Sequence, residues 1–153
     1  MALRSFNGLE LCAGVGALGL GVALACPDYR TVCAVEIEAF ATAVLVARQQ
    51  DGSLSPFPVW DDCRTFDGRA WYCLVDIVVA GFPCQPWSVA GKRQGQADER
   101  WLWDDVARII RDVRPQHCFL ENVPGLLVHA GLGAVLGDLA QMGFDAEWGC
   151  YTA

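Results

Sequence analysis

The chain has 153 residues, of which 54% are hydrophobic and 19% are charged, so it has enough apolar content for one folded domain and too much for a disordered segment. Its formal net charge of −7 disfavours a free-standing nucleic-acid binder, because contacts with phosphates need lysine and arginine. No apolar run approaches the ~20 residues that cross a bilayer, and the N-terminus lacks the pattern of a signal peptide, so we expect a cytoplasmic protein without a membrane segment.

Strand and helix patterns alternate along the whole chain. The segments that predict strands are β-branched or continuously apolar, and they are 6–12, 30–37, 59–63, 74–82, 117–123 and 144–153, the last of which only begins a sixth strand. The segments that predict helices lie between them, at 17–26, 38–50, 104–113 and 132–142. The stretches that predict loops are polar and contain glycine, and they are 51–58 and 88–100, the second of them mobile. This alternation predicts an α/β fold with a parallel sheet and helices on both faces.

A glycine-rich turn follows the first predicted strand. Gly14, Gly16 and Gly19 have the G-x-G-x-x-G spacing, and Glu36 ends the second strand 20 residues after Gly16. Glycines let the backbone approach a ligand closely, and an acid at this place can hold ribose hydroxyls. The pattern therefore predicts an adenosine-bearing ligand, and on this turn alone NAD, FAD and S-adenosylmethionine all stay open.

Two adjacent acids, Asp61 and Asp62, follow the third predicted strand. A carboxylate at the carboxyl edge of such a sheet can accept a hydrogen bond from an adenine amino group. On local features alone, a solvated turn or a helix cap is the alternative.

A cysteine stands between two prolines in the stretch GFPCQPWS, residues 81–88. Pro83 and Pro86 restrict the backbone around Cys84, at the end of a strand where open α/β sheets bind ligands. A thiol held in one place suits a nucleophile, because reaction needs near-contact geometry. Glu121 ends the next strand at the same edge, where a buried or half-buried carboxyl can donate a proton. Taken singly, a buried structural cysteine and an acid facing water are the alternatives.

The chain has eight cysteines, which is many for this length, but no two of them have the Cys-x-x-Cys spacing. That spacing is typical of zinc sites and redox pairs, and a disulfide framework is unexpected without a secretory signal. We therefore predict no metal site, and we expect most of these thiols to be small buried hydrophobic side chains.

Taken in order, these motifs resemble those of the DNA cytosine-5 methyltransferases. ELCAGVGALGLG resembles the cofactor-binding first motif of that family, although Cys12 takes a place usually held by phenylalanine. VEIEAFA resembles the second motif, with Glu36 in the ribose-binding place, and WDDCRTF resembles the third, with Asp62 against the adenine. The resemblance implies a Rossmann-like fold of the S-adenosylmethionine-dependent methyltransferases.

The later motifs carry the same resemblance. GFPCQPWS is similar to the Pro-Cys-Gln motif that carries the nucleophile, RWLWDDVARII to the fifth motif, and ENVPGLL to the Glu-Asn-Val motif. The resemblance implies transfer of a methyl group from S-adenosylmethionine to carbon-5 of cytosine in DNA. In that reaction Cys84 adds to carbon-6 of a cytosine flipped out of the duplex, while Glu121 holds and protonates ring N3.

The resemblance also implies two sets of binding residues. Those implied for the cofactor are Cys12, Ala13, Gly14, Gly16, Glu36, Ile37, Asp62, Cys63, Gly81, Pro83 and Leu102. Those implied for DNA are Gln85, next to Cys84, and Ser88, Lys92 and Arg93 in the loop 88–100, a mobile segment that also contains Arg100 and closes on the DNA.

The chain departs from the family in its extent. The Arg-x-Arg motif, the target-recognition domain and the late segments of the cofactor pocket have no counterpart in it. We therefore expect residues 1–153 to be a partial catalytic domain, truncated at its C-terminus and with exposed apolar surface at an incomplete sheet. We expect activity only when the other half is supplied, in a longer chain or as a second polypeptide. Two alternatives stay open, namely an incomplete S-adenosylmethionine-binding module without activity and, from the glycine turn alone, a nicotinamide or flavin oxidoreductase.

Overall fold

A computed structural model describes residues 5–83, 101–128 and 131–151 of the chain. The strands in these ranges are β1 (Phe6–Leu11), β2 (Tyr29–Val35), β3 (Val59–Trp60), β4 (Ile77–Gly81) and β5 (His117–Glu121). The α-helices are α1 (Ala17–Ala25), α2 (Ala39–Gln50), α3 (Trp103–Val113), α4 (Gly125–Val128) and α5 (Gly131–Gln141). A 3₁₀ helix covers Gly68–Trp71.

The strands form one parallel sheet in the order β3-β2-β1-β4-β5. This order confirms the predicted parallel α/β fold. The chain runs outward from β1 to β3 and then returns to the other side of β1 with β4. The carboxyl ends of β1 and β4 therefore flank the point at which the strand order reverses, where sheets of this kind bind ligands.

The helices cover both faces of the sheet, as predicted. Alternate residues of a strand point to opposite faces, so the two cores can be told apart along β4. Val78 and Ala80 join the larger core with the apolar side of α3. Ile77 and Val79 join a smaller core, against which Leu18 of α1 packs.

Helix α1 is apolar along its whole length, with the sequence ALGLGVALA, yet Gly19 is its buried residue. The side chains of Leu20 and Leu24 are 50% and 80% exposed. A helix that is apolar all round is normally buried on all sides. Helix α1 therefore has an apolar outer surface that no described residue covers.

The carboxyl group of Glu10 is buried between β1 and α1, and Glu10 is 4% exposed. The hydroxyl of Tyr29 donates to its Oε1 at 3.4 Å, and the hydroxyl of Thr31 donates to the same oxygen. A β-carbon at Gly19 would overlap this carboxyl group. Burial raises the pKa of Glu10, because the apolar surroundings disfavour its charged form.

The sixth strand predicted at 144–153 is wrong over the described residues 144–151, which contain no strand. The chain turns at Gly143, where φ is 89°, and the Phe144 N–H donates to Leu139 O, which completes the end of α5. From Asp145 onward the described residues are exposed and lack the ladder partner that a strand needs. Strand β5 is one of the two edge strands of the described sheet, and Phe119 on it is 47% exposed, so the expected exposed apolar surface is present. The loop predicted at 88–100 lies outside the described residues.

Replacing Gly19 with alanine should lower the free energy of unfolding by about 1–3 kcal/mol, because the added methyl group would push the buried Glu10 carboxyl out of place. Gly21 offers a matched control in the same helix, since a β-carbon there meets nothing within 4 Å. Gly21→Ala should raise the free energy of unfolding by about 0.5–1 kcal/mol through helix propensity. Urea denaturation of both variants measures the contrast, and equal shifts would contradict the assigned contact.

The variant Glu10→Gln should change how stability depends on pH. Because the pKa is raised in the folded protein, the native state holds its proton more tightly than the unfolded chain does. The free energy of unfolding of the wild type should therefore fall as pH rises from the ordinary value of 4.5 through the raised pKa. Glutamine does not titrate, so the stability of the variant relative to the wild type should increase over that window. Urea denaturation at several pH values tests this, and a difference that is constant with pH would refute it.

Candidate active site

An open cavity of about 330 Å³ lies at the carboxyl edge of the sheet, a size within the range of small-molecule pockets. Nine of the eleven residues predicted to contact a cofactor line it. They are Cys12, Gly14, Glu36, Ile37, Asp62, Cys63, Gly81, Pro83 and Leu102. Their part in binding stays a prediction, but the fold brings residues from five separate stretches of sequence around one cavity.

The carboxylate of Glu36 holds the glycine turn against the end of β2. Its Oε2 accepts from the Gly14 N–H at 2.6 Å and its Oε1 accepts from the Glu38 N–H at 2.7 Å. Glu36 is 8% exposed, and each of its oxygens keeps a further lone pair for a donor in the cavity. Gly14 has φ 56°, and a β-carbon there would project into open space. The Glu36 carboxylate is therefore a fixed hydrogen-bond acceptor, and at Gly14 the backbone faces the cavity without a side chain. This arrangement suits an adenosine-bearing group.

Ala13 and Gly16 lie in the same turn but are not among the residues that line the cavity. The Ala13 N–H donates to Val35 O at 3.1 Å, which joins the end of β1 to β2. Gly16 precedes α1 with φ 83°, and a β-carbon there would lie 3.0 Å from Leu45 Cδ2. The described structure therefore gives both residues a place in the frame of the turn, and their predicted contact with a cofactor stays a prediction.

Asp62 lines the cavity and also shapes its own turn. Its Oδ1 accepts from the Arg64 N–H at 2.9 Å, and its Oδ2 lies 3.5 Å from the Arg64 guanidinium. Asp62 can therefore both form a turn and accept a hydrogen bond from a ligand, since Oδ1 forms the turn while the side chain faces the cavity.

Arg108 of α3 supports this wall, and the sequence analysis missed it. Its guanidinium donates to Cys63 O at 2.7 Å and to Phe66 O at 2.9 Å. The sequence signal was misleading, because acids three residues before and four residues after Arg108 are typical of a salt-bridged helix surface.

The thiols of Cys12 and Cys63 interact in the same wall. The interaction between them raises the pKa of Cys12 and lowers that of Cys63, because the proton that stays on one sulfur stabilises negative charge on the other. The sequence analysis placed both residues near the cofactor but did not predict their interaction.

Glu121 lies at the end of β5, directly opposite Gly81 of β4. A β-carbon at Gly81 would lie 3.3 Å from Glu121 Oε2. Of the two interpretations left open for this carboxyl, the described structure shows the exposed one, since Glu121 lies on the edge strand β5 and is exposed, and its catalytic role stays a prediction. Asn122, to which the sequence analysis gave no role, donates from Nδ2 to Phe82 O at 2.9 Å and so joins the ends of β4 and β5.

The predicted nucleophile and the predicted DNA-contacting residues lie outside the described residues. They are Cys84, Gln85, Ser88, Lys92 and Arg93. Cys84 is the next residue after Pro83, which lines the cavity. Among the described residues, no group of three or more His, Cys, Asp or Glu side chains is placed to hold a metal ion. Within the same part of the chain, no helix combines the length and apolarity that a membrane span requires.

Comparison with known proteins gives one consistent result. The family model described as C-5 cytosine-specific DNA methylase matches residues 6–153. The Type II methyltransferase M.NgoMIV of Neisseria gonorrhoeae is 33% identical over 146 residues, which cover 94% of this chain and 45% of that protein. M.PspPI of a Psychrobacter strain, also a Type II methyltransferase, is 34% identical over 92% of this chain and 33% of its own length. The chain therefore spans less than half the length of these two curated relatives.

Among solved structures, a mutant of Spodoptera frugiperda DNMT2 superimposes with a TM-score of 0.67 at 20% sequence identity. The match covers 90% of this chain and 41% of that one. It supports the Rossmann-like fold assigned above.

Proposed function

The chain belongs to the C-5 cytosine-specific DNA methylase family, and we propose that it forms the part of such an enzyme that binds S-adenosylmethionine and carries the attacking cysteine. The observation that carries this proposal is the cavity at the carboxyl edge of the sheet. Residues of the glycine turn, Glu36 and Asp62 line it, and Pro83, which precedes Cys84, lines the same cavity.

S-adenosylmethionine is the cofactor that membership of this family implies, and when bound it supplies an electrophilic methyl group. Glu36 would accept hydrogen bonds from the ribose hydroxyls, since its two oxygens are fixed by backbone N–H groups and keep free lone pairs. Asp62 would accept from the adenine amino group. Gly14 would let the backbone approach the ligand, because a side chain there would project into the space that the ligand needs.

Cys84 and Glu121 would activate the cytosine ring. The thiolate of Cys84 forms a bond to carbon-6 while the carboxyl group of Glu121 gives a proton to N3, and carbon-5 then becomes electron-rich enough to accept a methyl group. Loss of the carbon-5 proton, departure of the Cys84 thiolate and return of the N3 proton to Glu121 restore the aromatic ring. The place of Glu121 beside Gly81, two residues before Pro83, supports a shared site for these two groups.

DNA is the proposed substrate, with the target cytosine flipped out of the duplex and contacted by Gln85, Ser88, Lys92 and Arg93. The net charge of −7 means that these few contacts would give weak binding that is sensitive to salt. The two relatives are named Type II methyltransferases, and we place this chain in the same restriction–modification setting, in the cytoplasm.

We further propose that residues 1–153 act as a partial catalytic domain that packs against the remainder of the enzyme, provided by a longer chain or by a second polypeptide. The relatives carry more than half of their length outside the matched stretch. Among the described residues, the apolar outer surface of α1 and the exposed Phe119 of β5 are two surfaces that such packing would cover. The alternative is a module that binds S-adenosylmethionine without methylating DNA.

Glu36→Gln should weaken the binding of S-adenosylmethionine by about tenfold to a hundredfold, because a hydrogen bond to a charged group contributes about 1.5–3 kcal/mol. Isothermal titration calorimetry of the isolated chain measures the change. Glu147→Gln is the matched control, since it removes the same charge from an exposed residue outside the cavity. Equal affinities for the two variants would contradict the assigned role, and binding of NADH by the wild type would favour an oxidoreductase instead.

Mixing the chain with S-adenosylmethionine and DNA that contains 5-fluorocytosine should trap a covalent protein–DNA adduct when a second polypeptide supplies the rest of the enzyme. The fluorine blocks release of the cysteine, so the adduct survives denaturing electrophoresis. Cys84→Ser should abolish it, whereas Cys26→Ser, which changes an exposed cysteine, should leave it unchanged. An adduct that survives Cys84→Ser would reject Cys84 as the nucleophile. Cofactor binding without an adduct, both with and without the second polypeptide, would favour the inactive module.

A further inference from the structure

The turn that follows β3 forms part of the cavity without belonging to any helix or strand. Asp62, Cys63 and Arg64 of this turn line the cavity. Within the turn, the N–H groups of Thr65 and Phe66 both donate to Asp62 O at 3.1 Å. A turn of this kind has no regular ladder to pair its later carbonyl groups, and buried carbonyl groups need donors from another part of the chain.

The guanidinium of Arg108 in α3 supplies those donors. It donates to Cys63 O at 2.7 Å, to Phe66 O at 2.9 Å and to Arg64 O at 3.4 Å. Arg108 follows these residues by at least 42 positions in the sequence, so the three bonds join segments that only the fold brings together. A guanidinium suits this set of acceptors, because it is planar and carries five N–H groups in a fixed fork.

Two acids of α3 orient this guanidinium. Asp105 Oδ1 accepts from it at 3.1 Å, and Asp112 Oδ2 lies 3.9 Å from it. The Arg108 side chain is 37% exposed, so these ion pairs contribute little to stability by themselves. Their effect is on direction, because the helix holds the guanidinium from one side while the guanidinium holds the turn from the other.

Helix α3 also reaches the cavity at its first residue. Leu102, which immediately precedes α3, lines the cavity and is 8% exposed. Arg108 therefore joins two parts of one cavity, namely the turn after β3 and the helix that begins beside Leu102. In the turn, Asp62 Oδ1 accepts from the Arg64 N–H at 2.9 Å, so the direction of the Asp62 carboxylate depends on the backbone that Arg108 holds.

We propose that Arg108 is a positioning residue for S-adenosylmethionine, a role that rests on the proposed function. By binding the carbonyl groups of Cys63, Arg64 and Phe66, it keeps the Asp62 carboxylate where that group accepts from the adenine amino group. Arg108 is not among the residues that line the cavity, so it acts on the ligand through the turn. Without the guanidinium the turn would shift, and the hydrogen bond between Asp62 and the amino group would be lost.

Titration calorimetry of the whole chain tests this role with two ligands, S-adenosylmethionine and the analogue in which hydrogen replaces the adenine amino group. The wild type should prefer S-adenosylmethionine by about tenfold, because the analogue cannot donate to the charged Asp62. Arg108→Gln should bind S-adenosylmethionine about tenfold less tightly, while its affinity for the analogue should change by less than about twofold. A side chain that only stabilised the fold would change the affinity for both ligands alike.

Two further variants separate geometry from charge. Arg111→Gln removes the same charge from an exposed position on the same helix, so it should keep the preference of the wild type. Arg108→Lys keeps the charge but cannot reproduce the fork of donors, so it should lose the preference as Arg108→Gln does. Circular dichroism checks the fold of each variant, and Arg108→Lys provides the comparison if Arg108→Gln does not fold. Loss of the fold in both would assign Arg108 to stability alone and overturn the proposal.

The outcomes distinguish this role from the proposed function. An undiminished preference in a folded Arg108 variant, or equal weakening for both ligands, would overturn the positioning role and leave the cofactor site in place. Equal binding of the two ligands by the wild type would also overturn it, because Asp62 would then make no contact with the amino group. Absence of S-adenosylmethionine binding by the wild type would instead refute the proposed cofactor site, and the positioning role with it.

Discussion

The parallel pairing of β1 with β2 and β4 is the constraint on which the site depends. Because these strands run in one direction, the glycine turn after β1, Glu36 after β2 and Pro83 after β4 all emerge at one edge of the sheet. The carboxylate of Glu36 then fixes the turn by accepting hydrogen bonds from two backbone N–H groups. A side chain that is nearly buried thus organises the backbone and still presents acceptors to a ligand.

The sequence was most informative where residues that suit a ligand site, such as glycine and glutamate, follow the ends of predicted strands. The glycine spacing and Glu36 pointed to residues that line the cavity, because the positive φ of Gly14 favours glycine and the Glu36 carboxylate accepts from two backbone N–H groups. Asn122 and Arg108 were missed because their roles are hydrogen bonds to backbone carbonyls of distant segments, which leave no periodic signal. The interaction between Cys12 and Cys63 was invisible for the same reason, since it depends on how the end of β1 meets the segment after β3.

The failed prediction of a sixth strand has a different origin. Residues 144–153 have the composition of a strand, but a strand is defined by its partner, and β5 keeps an open edge in the described structure. Helix α1 likewise has a sequence typical of a buried element. It is apolar like a fully covered helix, but Leu24 is largely exposed in the described structure. In both cases the local sequence indicates that the residues tend to be buried, but it does not indicate which segment covers them.

The guanidinium of Arg108 links one wall of the cavity to α3, whose apolar side packs in the larger core. Since it caps carbonyls of Cys63 and Phe66 from α3, the segment after β3 cannot open without breaking a bond to that helix. The apolar side of α3 is deeply buried, so its amides are expected to exchange with solvent only in rare, large openings. These two hydrogen bonds tie the ligand-facing rim on this side to a core helix, so we expect it to open less readily than a surface loop without such bonds.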